Sequence, residues 1–367
     1  MTTYLTTIKN TNTQITIDDL YKNLYNTSIY QKRNTIKTDF NKQPYNYQNI
    51  LFTLTVLAAK IPPTLKNCTD LSTHYTTFKI PKATGGFRTI NAPTCELKKI
   101  QSEFKDWLES ICKIQTHDAA HAYVKTRNTL TALKCHTESN YFLKLDIKDF
   151  FPGCNKDTIL TQLKKVYPLS YLLQQQEILE PFNLLLDLCL LNNELPQGAP
   201  SSPTLTNILM IPFDFELTVS LNKQNKIYTR YADDLLISSK TPFKFSSIIT
   251  LIESIFHTNN YPFIIKKEKT RYGRNTGANW NLGLMLNKDH NITIGHERKQ
   301  KFRAKIFQFI TDNLTTERKW SIIETQELQG IISYYNNIEP DYVQYVLNKY
   351  NRKFHVNIKF MIHEILK

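Results

Sequence analysis

Two aspartates stand side by side in "RYADDLLIS", Arg230 to Ser238, between apolar residues of strand composition. An unpaired buried charge is costly, and two like charges together are worse. A third carboxylate, Asp146, lies near the end of the apolar run "YFLKLDIKDFF". One carboxylate from a strand and a pair from a hairpin tip can converge on one point. Three convergent carboxylates are hard to keep ionised in a low-dielectric site unless a divalent cation neutralises them. Oxygen-only ligands suit Mg²⁺, which completes an octahedral shell with water and phosphate oxygens. Two such ions, roughly 4 Å apart, can lower the barrier to an in-line phosphoryl displacement. The plain alternative is a solvated acidic turn, and the rest of the chain must decide.

The flanking elements have to place these groups. "YFLKLDIKDFF" reads as a strand, and "KIYTRYADDLLISSK" as a hairpin with the two aspartates at its tip. Between them, "LPQGAPSSPTLTNILMIPFDFEL" is a turn running into a helix, with Ser201 or Ser202 as N-cap. "FKIPKATGGFRTINAP" reads as two strands joined at Gly85-Gly86. Leu97, Ile100, Phe104, Trp107 and Ile111 recur at helical spacing. "YQNILFTLTVLAAKIPP" reads as a buried helix, and Pro181 as a break or kink in a later one. From about Arg298 the character turns helical. Phe302, Ile306, Phe309 and Ile310 form one face, while Lys299, Lys301, Arg303 and Lys305 take other positions.

Bulk properties narrow the partners. The chain has 367 residues, 46 Lys plus Arg against 32 Asp plus Glu, and a formal charge of +14. That surplus favours a polyanion, nucleic acid first. No run of 18 apolar residues exists, so no membrane span is expected. The six cysteines carry no CxxC pair, which argues against a zinc site and for free thiols in a reducing cytoplasm. Asp149 and Asp289 read as solvated, and His121 and His136 as structural histidines.

In their order and spacing, "YFLKLDIKDFF", "LPQGAPSSPTLTN" and "YTRYADDLLIS" resemble the palm motifs of reverse transcriptases. "IPKATGGFRTINAPTCELKKIQ" resembles the fingers motif of that family, and "HAYVKTRN" the segment before the first catalytic strand in its retron-type branch. The resemblance covers roughly residues 78 to 350. It implies an α+β right-hand polymerase with fingers, a palm of antiparallel sheet and helices, and a helical thumb. The expected boundaries are an N-terminal arm or helical extension over 1–45, fingers over 46–140, palm over 141–291 and thumb over 292–367.

The resemblance also assigns residues. Asp146, Asp233 and Asp234 match the metal-binding carboxylates. Lys82 and Arg88 match the grip on the incoming triphosphate. Phe151 matches the ring that blocks a ribose 2′-hydroxyl, which implies a DNA product. Gln197 matches the turn residue near the nucleotide, and Lys269 a lysine that protonates pyrophosphate, with Lys266 and Lys267 close by. In a thumb, Arg298, Lys299, Lys301 and Lys305 would track a phosphate backbone. The implied cofactor is Mg²⁺, two ions. The implied partners are dNTPs, an RNA template in the form of a structured non-coding RNA, the DNA product, and an effector protein, with no membrane.

Two retron hallmarks are altered. "ALKCH", Ala132 to His136, stands at the usual NAxxH, and "NLG", Asn281 to Gly283, at the usual VTG. The sequence reading therefore favours a compact phage-defence enzyme outside the true retrons. A retron enzyme making RNA-linked single-stranded DNA is the alternative. A non-catalytic RNA-binding scaffold and an RNA-dependent RNA polymerase are competing classes. The acidic cluster argues against the first and Phe151 against the second.

Overall fold

A computed structural model describes residues 47–82, 85–111, 116–274, 283–315 and 319–367. The arm expected over 1–45 lies outside the described residues, as do Asn281 and Leu282 of the NLG segment. Helix α1 (Tyr47–Ala59) opens the described chain, followed by strands β1 (Tyr75–Pro81) and β2 (Phe87–Pro93) and helix α2 (Cys95–Ile111). Next come α3 (Thr129–Lys134), β3 (Tyr141–Lys148), α4 (Lys156–Leu163), α5 (Gln176–Asp187), α6 (Ser202–Leu209) and α7 (Ile211–Asn222). Then follow β4 (Ile227–Tyr231), β5 (Asp234–Ser239), α8 (Phe245–Thr258), β6 (Ile264–Ile265) and β7 (Arg271–Arg274). Short strands β8 (Met285–Leu286) and β9 (Ile292–Thr293) lead into α9 (His296–Thr315), α10 (Ile322–Ile338), α11 (Pro340–Phe354) and α12 (Ile358–Leu366).

The central sheet runs β4-β5-β3-β6, with β7 also on β3, and all its pairings are antiparallel. Strand parity gives this sheet two different faces. Leu143, Leu145 and Ile147 of β3, with Leu235 and Ile237 of β5, join the main core. That core takes in α1, α2, α5, α6, α7 and α8, and includes Phe104, Phe182, Phe213 and Phe256, all fully buried. Each such side chain contributes about 1.5–3 kcal/mol of burial. The opposite parity, Lys144, Asp146 and Asp234, forms the other face. Farther along that face Phe142 and Leu236 pack with Leu130, Leu284, Leu286 and Ile294. The C-terminal helices have a core of their own, built on Phe302, Ile306, Phe309, Ile310, Val343, Val346 and Leu347.

Several local expectations need correction. Helix α1 is amphipathic, not buried throughout. Ile50, Leu54 and Leu57 are buried, but Phe52 and Val56 face solvent. Pro181 does not break its helix, because α5 runs through it from Gln176 to Asp187. At the start of α6, Ser201 holds the N-cap position but its side chain makes no capping bond. The Ser202 hydroxyl instead donates to the Pro196 carbonyl at 2.8 Å. Among the described residues no helix is long and apolar enough to cross a membrane.

A backbone hydrogen bond ties the β1–β2 hairpin to the turn before α6. Asn91 N–H donates to the Gln197 carbonyl at 2.8 Å. Gly198 follows with φ of 124°, and a Cβ there would lie 2.8 Å from the Asn91 carbonyl oxygen and 2.9 Å from the Ile90 side chain. Only glycine permits that approach.

Beneath the acidic hairpin lies a buried ion pair. The Arg230 Nε and Nη2 atoms donate to Asp214 at 2.9 and 2.6 Å, with both side chains almost wholly buried. The Tyr228 hydroxyl donates to the same carboxylate at 2.8 Å, and Arg230 Nη1 reaches the Asn207 side-chain oxygen and the Ala232 carbonyl. Breaking such a pair leaves a buried charge uncompensated. Arg230→Met is expected to lower unfolding free energy by about 3–5 kcal/mol. Asp214→Leu combined with Arg230→Met should recover part of that loss. Chemical denaturation of the three variants against wild type checks both.

Candidate active site

Register brings two of the three aspartates together. Asp146 on β3 is the direct cross-strand partner of Asp234 on β5, and Asp234 also pairs with Tyr231 on β4. Ala232 and Asp233 are left as the two-residue turn, with Ala232 at φ of 58°. The turn is pinned to β3 because Ile147 N–H donates to the Asp233 carbonyl at 3.0 Å. On the other edge, Lys266 N–H donates to the Asp146 carbonyl at 2.8 Å.

Crowding of charge shows in the electrostatics. Loss of water, then the charges of Asp234 and Asp146, push the Asp233 carboxyl up to about 6. Burial also raises Asp234, against the lowering effect of Lys144. Two lysines offset the crowding. Lys269 Nζ donates to Asp146 Oδ2 at 2.6 Å, and Lys144 Nζ to Asp234 Oδ2 at 3.0 Å. Desolvation works against the Lys269 ammonium, but its hydrogen bond to Asp146 and the surrounding carboxylates hold its pKa above the ordinary value.

Whether these residues suit a cation follows from their chemistry. Among the described residues no three metal-ligating side chains are gathered as a ready cage. Asp146 instead meets Lys269, and Asp234 meets Lys144. The donor set is nonetheless all oxygen, and its mutual repulsion is what a hard divalent cation would relieve. The residues fit such an ion.

The other sequence-assigned residues divide into two groups. Phe151 follows β3, half-buried against the core, with its ring edge-on to Phe150 at 5.8 Å. Gln197 is half-buried in the turn that meets β2. Lys82 and Arg88 are exposed on the β1–β2 hairpin, and the Arg88 charge is felt by Tyr123, which also feels Asp233. The basic residues of α9 form the second group and have partners of their own. Arg298 Nη1 donates to the Gly283 carbonyl at 2.8 Å, and Lys299 meets Glu339 at 2.6 Å and the face of Tyr342. Lys301 pairs with Glu297, and Lys305 with Glu327.

Asp149 and Asp289 are exposed. His121 and His136 are buried and kept neutral by desolvation, His121 lowered to about 4 and His136 to about 3. His136 holds Ser238 Oγ with Nδ1 at 2.6 Å and Thr229 Oγ1 with Nε2 at 2.8 Å, so it bridges β5 and β4. Sequence reasoning missed Lys144, although it stands two residues before Asp146 and strand parity puts both on one face. It also missed the Asp214–Arg230 pair, for which spacing carries no signal.

Residues 80–309 match the family described as reverse transcriptase (RNA-dependent DNA polymerase). The retron Ec83 reverse transcriptase of Escherichia coli is 33% identical over 302 residues, 78% of this chain and 90% of that protein. The retron Ec73 reverse transcriptase of the same organism is 30% identical over 291 residues, 77% of this chain and 87% of that one. A solved apo telomerase from Candida tropicalis shares 10% identity at a TM-score of 0.49, over 80% of this chain and 62% of its own. Between the two subgroup readings of the sequence, these relatives support the retron alternative. The acidic hairpin opposite Asp146 thus lies inside a matched polymerase region, and the chain belongs to the reverse transcriptase family, RNA-directed DNA polymerases, in its retron branch.

Proposed function

We propose that the enzyme extends a DNA strand on a dedicated structured RNA, using two Mg²⁺ ions held by Asp146, Asp233 and Asp234. The observation that carries this reading is the opposition of Asp146 and Asp234 across the ladder, with Asp233 at the turn raised to about 6 by its neighbours. Bound there, the ions would supply Lewis-acid stabilisation of charge developing on the primer hydroxyl and the leaving pyrophosphate.

The chain's own groups then have distinct tasks. Arg88 and Lys82, on a hairpin tied to the Gln197 turn, bind triphosphate oxygens. Phe151 crowds the position of a ribose 2′-hydroxyl and favours deoxynucleotides. Lys269, charged and 2.6 Å from Asp146 Oδ2, is placed to give a proton to the leaving pyrophosphate. Arg298, Lys299, Lys301 and Lys305 would meet phosphates of the template–primer beside or in place of their present partners. An RNA-linked single-stranded DNA product rests on the likeness to retron enzymes. Antiphage defence, with an effector protein, rests on the sequence resemblance alone.

The chemistry is tested with a primed RNA template, Mg²⁺ and either dNTPs or rNTPs. Wild type should make DNA, and Asp233→Asn should reduce the rate at least about a hundredfold, the order of a lost charge-stabilising group. Phe151→Ala should raise rNTP incorporation with dNTP incorporation retained. Equal use of both nucleotides by wild type would refute the assignment of Phe151.

A stability prediction follows from the raised carboxyl. A carboxyl with a folded pKa of about 6 and an unfolded value near 3.8 costs stability once ionised, above pH 6. That cost fades as pH falls through 6 towards 4. Without added metal, Asp233→Asn should therefore stabilise the protein at pH 8, on the order of 1–3 kcal/mol, and leave it unchanged near pH 4. Thermal melts in EDTA across that range measure the effect.

A further inference from the structure

Lys144 has no task in the polymerase reading, yet its ammonium touches a carboxylate assigned to the cation. Its Nζ donates to Asp234 Oδ2 at 3.0 Å, and both side chains are largely withdrawn from water, at 21% and 17% exposure. Lys269, by contrast, reaches Asp146 from the turn after β6 with 52% of its side chain exposed. The two lysines are therefore not equivalent. One is set into the central strand of the sheet and the other lies at its rim.

Sheet pairing does not account for Lys144. Its direct neighbours across the ladder are Leu236 on β5 and Arg271 on β7. A leucine offers an ammonium no partner, and a like charge directly opposite is unfavourable. The bond to Asp234 runs diagonally to the next residue on the same face of β5, a span that a long side chain covers. Phe142, two residues back on the same face, and Leu236 are both buried in an apolar cluster. Lys144 thus stands between packed apolar side chains and the carboxylates.

Charge balance indicates what this cation does. Asp146, Asp233 and Asp234 carry three negative charges when ionised, against two positive charges on Lys144 and Lys269. A single net negative charge is left, which is too little to hold two divalent ions. A triphosphate brings the remainder. An ammonium fixed at Asp234 Oδ2 also repels a dication on the same carboxylate, and a partly buried pair is screened much less than an exposed one.

We propose that Lys144 is a positioning residue that makes cation binding depend on the nucleotide. Its charge holds Asp234 and weakens the capture of free Mg²⁺, so the site fills when a triphosphate supplies the balancing charge. This deepens the polymerase reading and rests on its assignment of the three aspartates to the cation.

The test uses the full chain at pH 8, with Tm read against Mg²⁺ concentration, so binding is followed without turnover. Lys144→Met keeps an unbranched apolar stem and removes the charge. With Mg²⁺ alone, its midpoint for stabilisation should fall about tenfold below that of wild type. Lys144→Gln keeps a hydrogen-bond donor without the charge and should shift in the same direction. Lys144→Arg keeps the charge and should stay within about threefold of wild type. With Mg²⁺ and a dNTP together, wild type should be stabilised at Mg²⁺ concentrations that have little effect alone. An unchanged or higher midpoint in both neutral variants, with wild type responding to Mg²⁺ and dNTP, would overturn the proposal alone. So would a Lys144→Arg protein that matches Lys144→Met, because charge would then not be the cause. A wild type that Mg²⁺ and dNTP do not stabilise, indistinguishable from Asp233→Asn, would refute the cation reading and this proposal with it.

Discussion

Charge crowding at one end of the central sheet is the constraint on which the rest of the site depends. Asp146 and Asp234 face each other across the ladder, and Asp233 sits at the adjoining turn. Such a group opens apart unless the backbone prevents it. The backbone is therefore fastened on every side: by the Ile147 bond to the turn, by Lys266 on the outer edge, and by segment 119–121 along β4. Under the sheet, Arg230 and Asp214 lock the strand that enters the turn, and Arg230 also reaches the Ala232 carbonyl. On the site face, His136 ties Thr229 to Ser238 while staying neutral, so it adds no charge. Lys144 and Lys269 offset part of the repulsion with their ammonium groups. A divalent cation bound among the carboxylates would complete what they begin.

The sequence showed the carboxylates because their chemistry is local. An acidic pair inside apolar strand residues is anomalous wherever it stands, and one further aspartate near a strand end supplies the third. Lys144 was equally legible by parity and was passed over, since a lysine in a strand needs no explanation until its partner is known. The Asp214–Arg230 pair was hidden for a different reason. One member lies on helix α7 and the other on β4, and only the packed core makes them meet. The basic row of α9 illustrates the converse. Its cations suggested an open phosphate track, but Glu297, Glu327 and Glu339 lie against it, and two of these come from elements distant in sequence. Pro181 read as a helix break or kink, and α5 continues through it unbroken with Phe182, Leu185 and Leu186 held in the core. Tertiary burial there outweighed a local preference.

The two altered hallmark segments change meaning once their contacts are visible. The first keeps His136, whose two ring nitrogens bridge the catalytic hairpin. The second keeps Gly283, at φ of 88°, where an added Cβ would lie inside the Arg298 guanidinium. Arg298 in turn holds the Gly283 carbonyl, joining the segment before β8 to α9. The positions with a demanding local duty are thus retained, and the substituted ones are their neighbours. This agrees with the likeness to retron enzymes better than the altered letters alone suggested.

The central claim is that the crowded carboxylates, with Asp233 shifted towards neutrality, receive a divalent cation together with the nucleotide. Its most direct test is the proton count on binding of Mg²⁺ and a dNTP, measured by calorimetry in buffers of different ionisation enthalpy. With Asp233 near 6, wild type at pH 6 should release more protons than Asp233→Asn under the same conditions, and the difference should vanish at pH 8. Equal proton release by the two proteins at pH 6 would contradict the account.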